Sequence, residues 1–159
     1  MTTLGRKRVE DSRTEQVHIV MPASINGQGR LFGGSLMQWI DVVAGVVARR
    51  HAGREVTTAV VDQLAFMAPA FVNDTILLVG EITYVGRTSL EVRVDTFVEK
   101  LSGERTLVNR AYLVMVALDE NNRPTQVPGL ILETEEQRKE WENAEIRKEI
   151  RWARREEHF

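Results

Sequence analysis

Asp41 is the one carboxylate in an otherwise apolar run that includes Leu36, Met37, Trp39, Ile40, Val42, Val43, Val46 and Val47. Burying an ionised carboxylate without partners costs several kcal/mol or raises its pKa. Such a side chain therefore either reaches a wet edge or a distant cation, or it does chemistry. Wound as a helix, the run has no polar face for Asp41 to join, which favours chemistry. Just upstream, Gly33-Gly34 lets another molecule approach the backbone closely. The N–H groups at a helix start are unpaired and positively polarised, a ready site for a carbonyl oxygen turning tetrahedral. Asn26, in the loop before, adds an amide that can orient water or a carbonyl. Each feature alone has a bland reading: a plain helix entry, a turn residue, a solvent-facing acid. Carboxylate, amide donor and polarised N–H groups together fit acyl transfer to water, with no serine or cysteine nucleophile required.

Other chemistries are excluded by what is missing. The 159 residues contain no cysteine, so there is no thiol nucleophile, disulfide framework or Cys-type zinc site. His18, His51 and His158 are scattered without metal-ligand spacing, and no metal is expected. No Gly-x-Ser-x-Gly elbow occurs. With 21 Lys+Arg against 23 Asp+Glu, the net charge of −2 argues against a nucleic-acid partner. No run approaches the roughly 18 consecutive apolar residues of a membrane span, and the N-terminal residues lack the apolar stretch of a secretory signal. A cytoplasmic protein is expected.

The elements that must position these groups follow from local pattern. Residues 1–12 are polar and read as a loose N-terminus. Thr14–Val20 alternates and reads as a strand, and Met21–Arg30 as a loop. A helix is expected from Ser35, as N-cap, to the basic Arg49-Arg50-His51, with Asp41 one turn in. Val56–Met67, Thr75–Val85, Ser89–Lys100 and Thr106–Leu118 read as strands in an antiparallel meander. In Ser89–Lys100, apolar Leu90, Val92 and Val94 alternate with Glu91, Arg93 and Asp95, a half-buried pattern; Thr106–Leu118 is apolar on both faces and reads as central. From Glu133 to Phe159 there are 9 acidic and 7 basic residues, which leaves a neutral body of 14 of each sign. This tail has no Gly or Pro and reads as a long solvated helix, docked by its tryptophans or partly frayed. Its apolar stripe is Trp141, Ile146, Ile150 and Ala153. A helix apolar nearly all round is buried all round. One such helix before a long meander suggests a sheet wrapped about it, as in the hotdog fold or the cystatin-like cone. The two-faced apolar strand adds the expectation of a dimer joined edge to edge.

The order Met21-Pro22, Asn26, Gly29, Phe32-Gly33-Gly34, Leu36-Met37 and Ile40-Asp41 resembles the signature of hotdog-fold acyl-CoA thioesterases, of the bacterial YciA-like and animal cytosolic long-chain type. Val56-Thr57-Thr58-Ala59, Phe66 with Pro69, Val85-Gly86-Arg87-Thr88-Ser89, Val116-Ala117-Leu118-Asp119, Arg123-Pro124 and Val127-Pro128 continue the match over about residues 13–130. One departure is Ser24, where many relatives have Asp.

The resemblance implies an α+β hotdog domain over 13–130, with a five- to six-stranded antiparallel sheet around one long helix; the charged C-terminal helix read above, over 131–159, lies outside it. It implies a dimer, assembled as a trimer of dimers, with an active site shared between subunits. Asp41 of one subunit is then base or nucleophile, and Asn26 of the other positions water or thioester. The Gly33 or Gly34 N–H binds the thioester oxygen. Thr57 and Phe66 are further candidates for the site wall, although Phe66 and Trp39 taken alone read as core. Gly86, Arg87, Thr88 and Ser89 would touch the CoA pantetheine and phosphates. The expected activity is hydrolysis of acyl-CoA to free CoA and a carboxylic acid, with no cofactor, CoA being part of substrate and product. The alternative is a non-catalytic acyl-CoA binding module, which would need neither Asp41 nor Asn26. Hydratase chemistry, which goes with an Asp/His pair in one loop, finds no such pair here.

Overall fold

The computed structural model describes residues 4–157. The chain order is strand β1 (Arg6–Arg8), helix α1 (Val9–Ser12), strand β2 (Thr14–Ile19) and a 3-10 turn (Pro22–Ser24). Then come helix α2 (Gly33–Ala52) and strands β3 (Glu55–Phe66), β4 (Thr75–Val85), β5 (Ser89–Glu99) and β6 (Arg105–Leu118). Strand β7 (Gly129–Ile131) and helix α3 (Glu135–Glu156) complete the described chain. Among the described residues, no helix is long and apolar enough to cross a membrane.

The sheet has five antiparallel strands in the order β2-β4-β5-β6-β3. It is only partly the expected meander. Strands β4, β5 and β6 follow one another, but β3 lies beside β6 at the far edge, because the connection 67–74 is long enough to carry the chain across. Strand β6 is interior rather than central; β5 holds the middle. The N-terminal segment is less loose than its polarity suggests. Arg6–Arg8 pairs in parallel with Gly129–Ile131, and Val9 and Ser12 are buried. Residues 1–3, part of the segment expected to be loose, and 158–159 lie outside the described residues.

Helix α2 packs on one sheet face through Leu36, Ile40, Val43, Ala44, Val47 and Ala48, all buried. Closest approach is at Gly80 of β4, where a Cβ would stand 2.6 Å from Val43 and 2.9 Å from Val47. Only glycine lets helix and strand meet there. The helix ends at Gly53, whose φ of 65° and N–H bond to the Arg49 carbonyl (2.8 Å) make a left-handed cap. Its other side is open. Gly34, Met37, Gln38, Asp41 and Val42 are exposed, as is almost all of β3. The expectation of burial all round fails within one chain because five strands cover only one side of the helix.

Helix α3 lies on the opposite sheet face. Thr134 caps it by accepting from the Gln137 N–H. Docking is electrostatic as much as apolar. Arg147 bonds both oxygens of Glu91 (2.7 and 3.1 Å), and Arg151 reaches Asp62 at 2.8 Å. Trp141 tilts against Tyr84 at 4.3 Å, and Ala144 is buried. Ile146, Ile150 and Trp152 of the expected docking side point to solvent instead. The reason lies in the sheet: Glu91 of β5 is buried beneath α3, and Asp95 is buried against Arg110 and Arg93, rather than solvated.

Candidate active site

The loop before α2 is built around Asn26. Its Oδ1 accepts from the Gln28 N–H (2.9 Å) and the Arg30 N–H (3.2 Å), while its backbone N–H donates to the Arg30 carbonyl at 2.8 Å. This tight turn needs Gly29 at φ 75°. The amide oxygen is thus committed to the loop, and the Nδ2 donor has no partner among the described residues. Further bonds anchor the loop: the Phe32 N–H to the Ser24 carbonyl (2.7 Å) and the Leu31 N–H to the Ala70 carbonyl (2.8 Å).

The helix begins two residues before the expected N-cap. Phe32, extended, holds the cap position, and no side chain caps it. The Leu36 N–H is the first to find a carbonyl within the helix, that of Phe32 at 3.2 Å. Gly33 and Gly34 therefore present free N–H groups at the positive end of the helix dipole. Phe66 comes against this point: a Cβ on Gly33 would be 3.6 Å from its ring. Phe66 is 54 % exposed, so in this chain it is no core residue. A cleft of about 340 Å³ opens here, lined among others by Asn26, Leu36, Phe66, Met67 and Val108.

Asp41 lies farther along the helix than expected, in its third turn, and is exposed. It shares the open stripe with Gly34 and Gln38 through spacings of four and three residues. The Thr58 hydroxyl donates to Asp41 Oδ1 at 2.7 Å and fixes the carboxylate's orientation. Asp41 does not line the cleft of Asn26. One chain thus joins Asn26, Gly33 and Phe66 at one place and sets Asp41 with Thr58 at another. Thr57, expected at the site wall, pairs with Val116, and strand alternation turns it to the α3 face.

The β4–β5 connection is a tight turn in which the Gly86 N–H donates to the Ser89 carbonyl at 2.8 Å. A Cβ on Gly86 would stand 2.9 Å from Ser89 Oγ. The carbonyls of Arg87 and Thr88 accept from the N–H groups of Val127 and Ala117, both at 3.0 Å, which ties the turn to the end of β6 and the segment after it. Arg87 itself is exposed and has no carboxylate within ion-pair distance among the described residues.

A family model described as the thioesterase superfamily matches residues 28–102. YkhA of Bacillus subtilis, named an uncharacterized acyl-CoA thioester hydrolase, is 38 % identical over 138 residues, 86 % of this chain and 80 % of its own length. The chain belongs to the thioesterase superfamily. A crystal structure of an apo hexameric acyl-CoA thioesterase superposes with a TM-score of 0.91 at 41 % identity, covering 94 % of this chain and 97 % of that one. The acyl-CoA hydrolase of Staphylococcus aureus, solved with butyryl-CoA, CoA and CoA disulfide, superposes with a TM-score of 0.92 at 33 % identity, over 96 % and 94 % of the two chains. It has also been solved with a single Asp, Asn or Thr replaced by Ala.

The fold is the hotdog fold, and the candidate site is the two-part arrangement described above. Two residues of it escape a reading of the sequence. Thr58 is hidden by the phase of β3, because Thr57 and Thr58 are chemically alike and only the strand's face separates them. Gln38 carries a clear signal, an amide three residues before Asp41 on the same helical stripe.

Proposed function

We infer that the protein is an acyl-CoA thioesterase, hydrolysing the thioester to free CoA and a carboxylic acid. The observation that carries the mechanism is the separation of Gly34 from Asp41. Seven residues of helix put them about 10 Å apart along one open stripe, too far to serve one thioester. Two chains packed with these stripes facing in opposite directions bring Asp41 of one to Gly33, Gly34 and Asn26 of the other. The Gly33 or Gly34 N–H then holds the thioester oxygen, where it strengthens as charge develops. Asn26 Nδ2 positions the water or the thioester. Asp41, aligned by Thr58, takes the proton from water or attacks the carbonyl itself. In the Staphylococcus aureus enzyme, the Asn, Asp and Thr replaced by Ala are spaced along the chain as Asn26, Asp41 and Thr58 are here.

The oligomer reading rests on uncovered apolar surface. Met37, Val42, Val60 and Val61 line the open side of α2 and the β3 edge, which suits the dimer. Val17 and Ile19, 60 % and 57 % exposed, lie on the sheet face beyond α3 and suit packing of dimers into a trimer. Arg87, Thr88 and Ser89 on the Gly86 turn suit the phosphates and pantetheine of CoA. The thioesterase unit is 13–130, with 131–159 as its appended helix; the enzyme works in the cytoplasm and needs no cofactor. A thiol-release assay over acyl-CoA chain lengths tests the reading. Release of CoA by the wild type and its loss in Asp41→Asn are expected; binding of acyl-CoA without any thiol release would make it a binding module instead.

A further inference from the structure

Seven buried side-chain polar atoms have no hydrogen-bond partner among the described residues, and five of them gather at one end of the core. They are Gln16 Oε1, His18 Nε2, Thr96 Oγ1 and both amide atoms of Asn109. Roughly 90 % of buried polar groups are paired, with protein or with ordered water, so such a concentration calls for hydrogen-bond partners beyond the chain's own atoms. The sheet register explains the gathering. Gln16 pairs with Leu78, Leu78 with Thr96, Thr96 with Asn109, and Asn109 with Phe66. On the α2 face these side chains form one row across all five strands. Leu78, fully buried, divides Gln16 from the others, and His18 belongs to the neighbouring row, stacked on Trp39 at 4.0 Å.

The row ends in the candidate active site. Phe66 and Val108 line the cleft, and Asn109 sits beside Val108 and one strand spacing, roughly 4.8 Å, behind Phe66. Phe66, half-exposed, is the member of the row that stands at the cleft. A saturated acyl chain entering past Phe66 would leave the Asn109 amide and the Thr96 hydroxyl without partners. A hydroxyl or keto group a few carbons from the thioester would satisfy them: it can accept from Asn109 Nδ2 or the Thr96 hydroxyl, and a hydroxyl can also donate to Asn109 Oδ1.

We propose that Thr96 and Asn109 form a polar floor to the acyl site, and that the preferred substrates are acyl-CoA thioesters bearing a hydroxyl or keto group near the thioester. This rests on the thioesterase reading above and names the substrate class of that site. Thr96 and Asn109 act here as specificity residues, since they meet the acyl substituent and not the reacting carbonyl.

The test is kcat/KM for 3-hydroxybutyryl-CoA against butyryl-CoA, measured on the full chain. Sites that hydrogen-bond a substrate hydroxyl discriminate strongly against the analogue lacking it, and a wild-type ratio of at least about tenfold is expected. Asn109→Leu brings the ratio close to one. Thr96→Val, nearly the same in shape, lowers it severalfold and keeps the test open if Asn109→Leu fails to fold. Gln16→Leu, behind Leu78, leaves the ratio where it was. Equal hydrolysis of both substrates by the wild type overturns the proposal and leaves the thioesterase reading standing, as does a preference that survives both Asn109→Leu and Thr96→Val. A ratio moved equally by Gln16→Leu overturns it too, by tracing the effect to packing. Absence of thiol release from every acyl-CoA removes the thioesterase reading itself.

Discussion

Two carboxylates on opposite sides of the sheet each accept a threonine hydroxyl at 2.7 Å: Asp41 from Thr58 and Glu91 from Thr83. Their surroundings differ in every other respect. Glu91 is 1 % exposed and is met by Arg147 through two bonds, with Arg151 at 3.5 Å. Asp41 is exposed, and no Lys or Arg of the chain lies within ion-pair distance among the described residues. A buried acid is tolerated only when its charge is answered, and at Glu91 it is answered completely. Burial works against the charge on Arg147, but hydrogen bonding and attraction from Glu91 outweigh it, and the guanidinium pKa is raised. The Glu91 cluster is therefore architecture: it pins α3 to the sheet. Asp41 keeps one oriented bond and an open side, the condition of a group that still has work to do.

This contrast is open to attack by mutation. Asp41→Ala should lower kcat by about a hundredfold to ten-thousandfold, while thermal unfolding stays within about 0.5 kcal/mol of wild type, as for other exposed positions. A large stability loss would put Asp41 on the architectural side. Arg147→Ala should do the reverse. It leaves buried Glu91 with only the longer Arg151 contact for its charge, at a cost of about 3 kcal/mol by denaturant titration, with kcat per folded molecule preserved. Pairing it with Glu91→Gln should recover part of the loss.

Thr58→Val removes one hydrogen bond to a charged acceptor, worth about 1.5–3 kcal/mol. If that bond aligns Asp41 in the transition state, kcat falls by about tenfold or more, with KM little moved. Thr83→Val should leave kcat alone.

The smallest effect concerns His51, fully buried at the end of α2, with Nε2 at 2.9 Å from the Pro128 carbonyl. Burial lowers its pKa more than that carbonyl raises it. The folded state thus favours the neutral ring, so this contribution is full above the ordinary histidine value of about 6.5. It is lost as pH falls through the folded value. The urea midpoint should drop between pH 7.5 and pH 5, and His51→Gln should flatten that slope.

What the sequence disclosed and withheld follows a physical line. Alternation marks β2 and β5 closely, since each is a local pattern, and the apolar setting of Asp41 is equally local. Asn26 and Gly33-Gly34 show because turn and helix-entry chemistry spans only a few residues. The face of Thr58 did not show, because two irregularities in β3, between Thr58 and Val60 and between Val61 and Gln63, shift its phase against β6. The far-edge position of β3 is a choice among long-range pairings that no short window records. The burial of Glu91 and Asp95 is hidden for the same reason: a charged position reads as solvent-facing until distant residues answer it, Arg147 of α3 at Glu91 and Arg110 of β6 at Asp95. Ile146 and Ile150 were misread with it, since the sheet beneath α3 asked for cations.

Those irregularities in β3 have a consequence for the newly made chain. In the single chain β3 is a bare edge of twelve residues, with Val60 and Val61 showing, and such edges invite indiscriminate strand addition and aggregation. A bulge bends and twists the strand and spoils a regular ladder. With two of them in its middle, β3 offers a stray extended segment only short stretches of matched donors and acceptors. A second copy, packed as proposed above, would carry the same irregularities and meet them in kind. The edge thus screens its visitors during synthesis, before any thioester has been met.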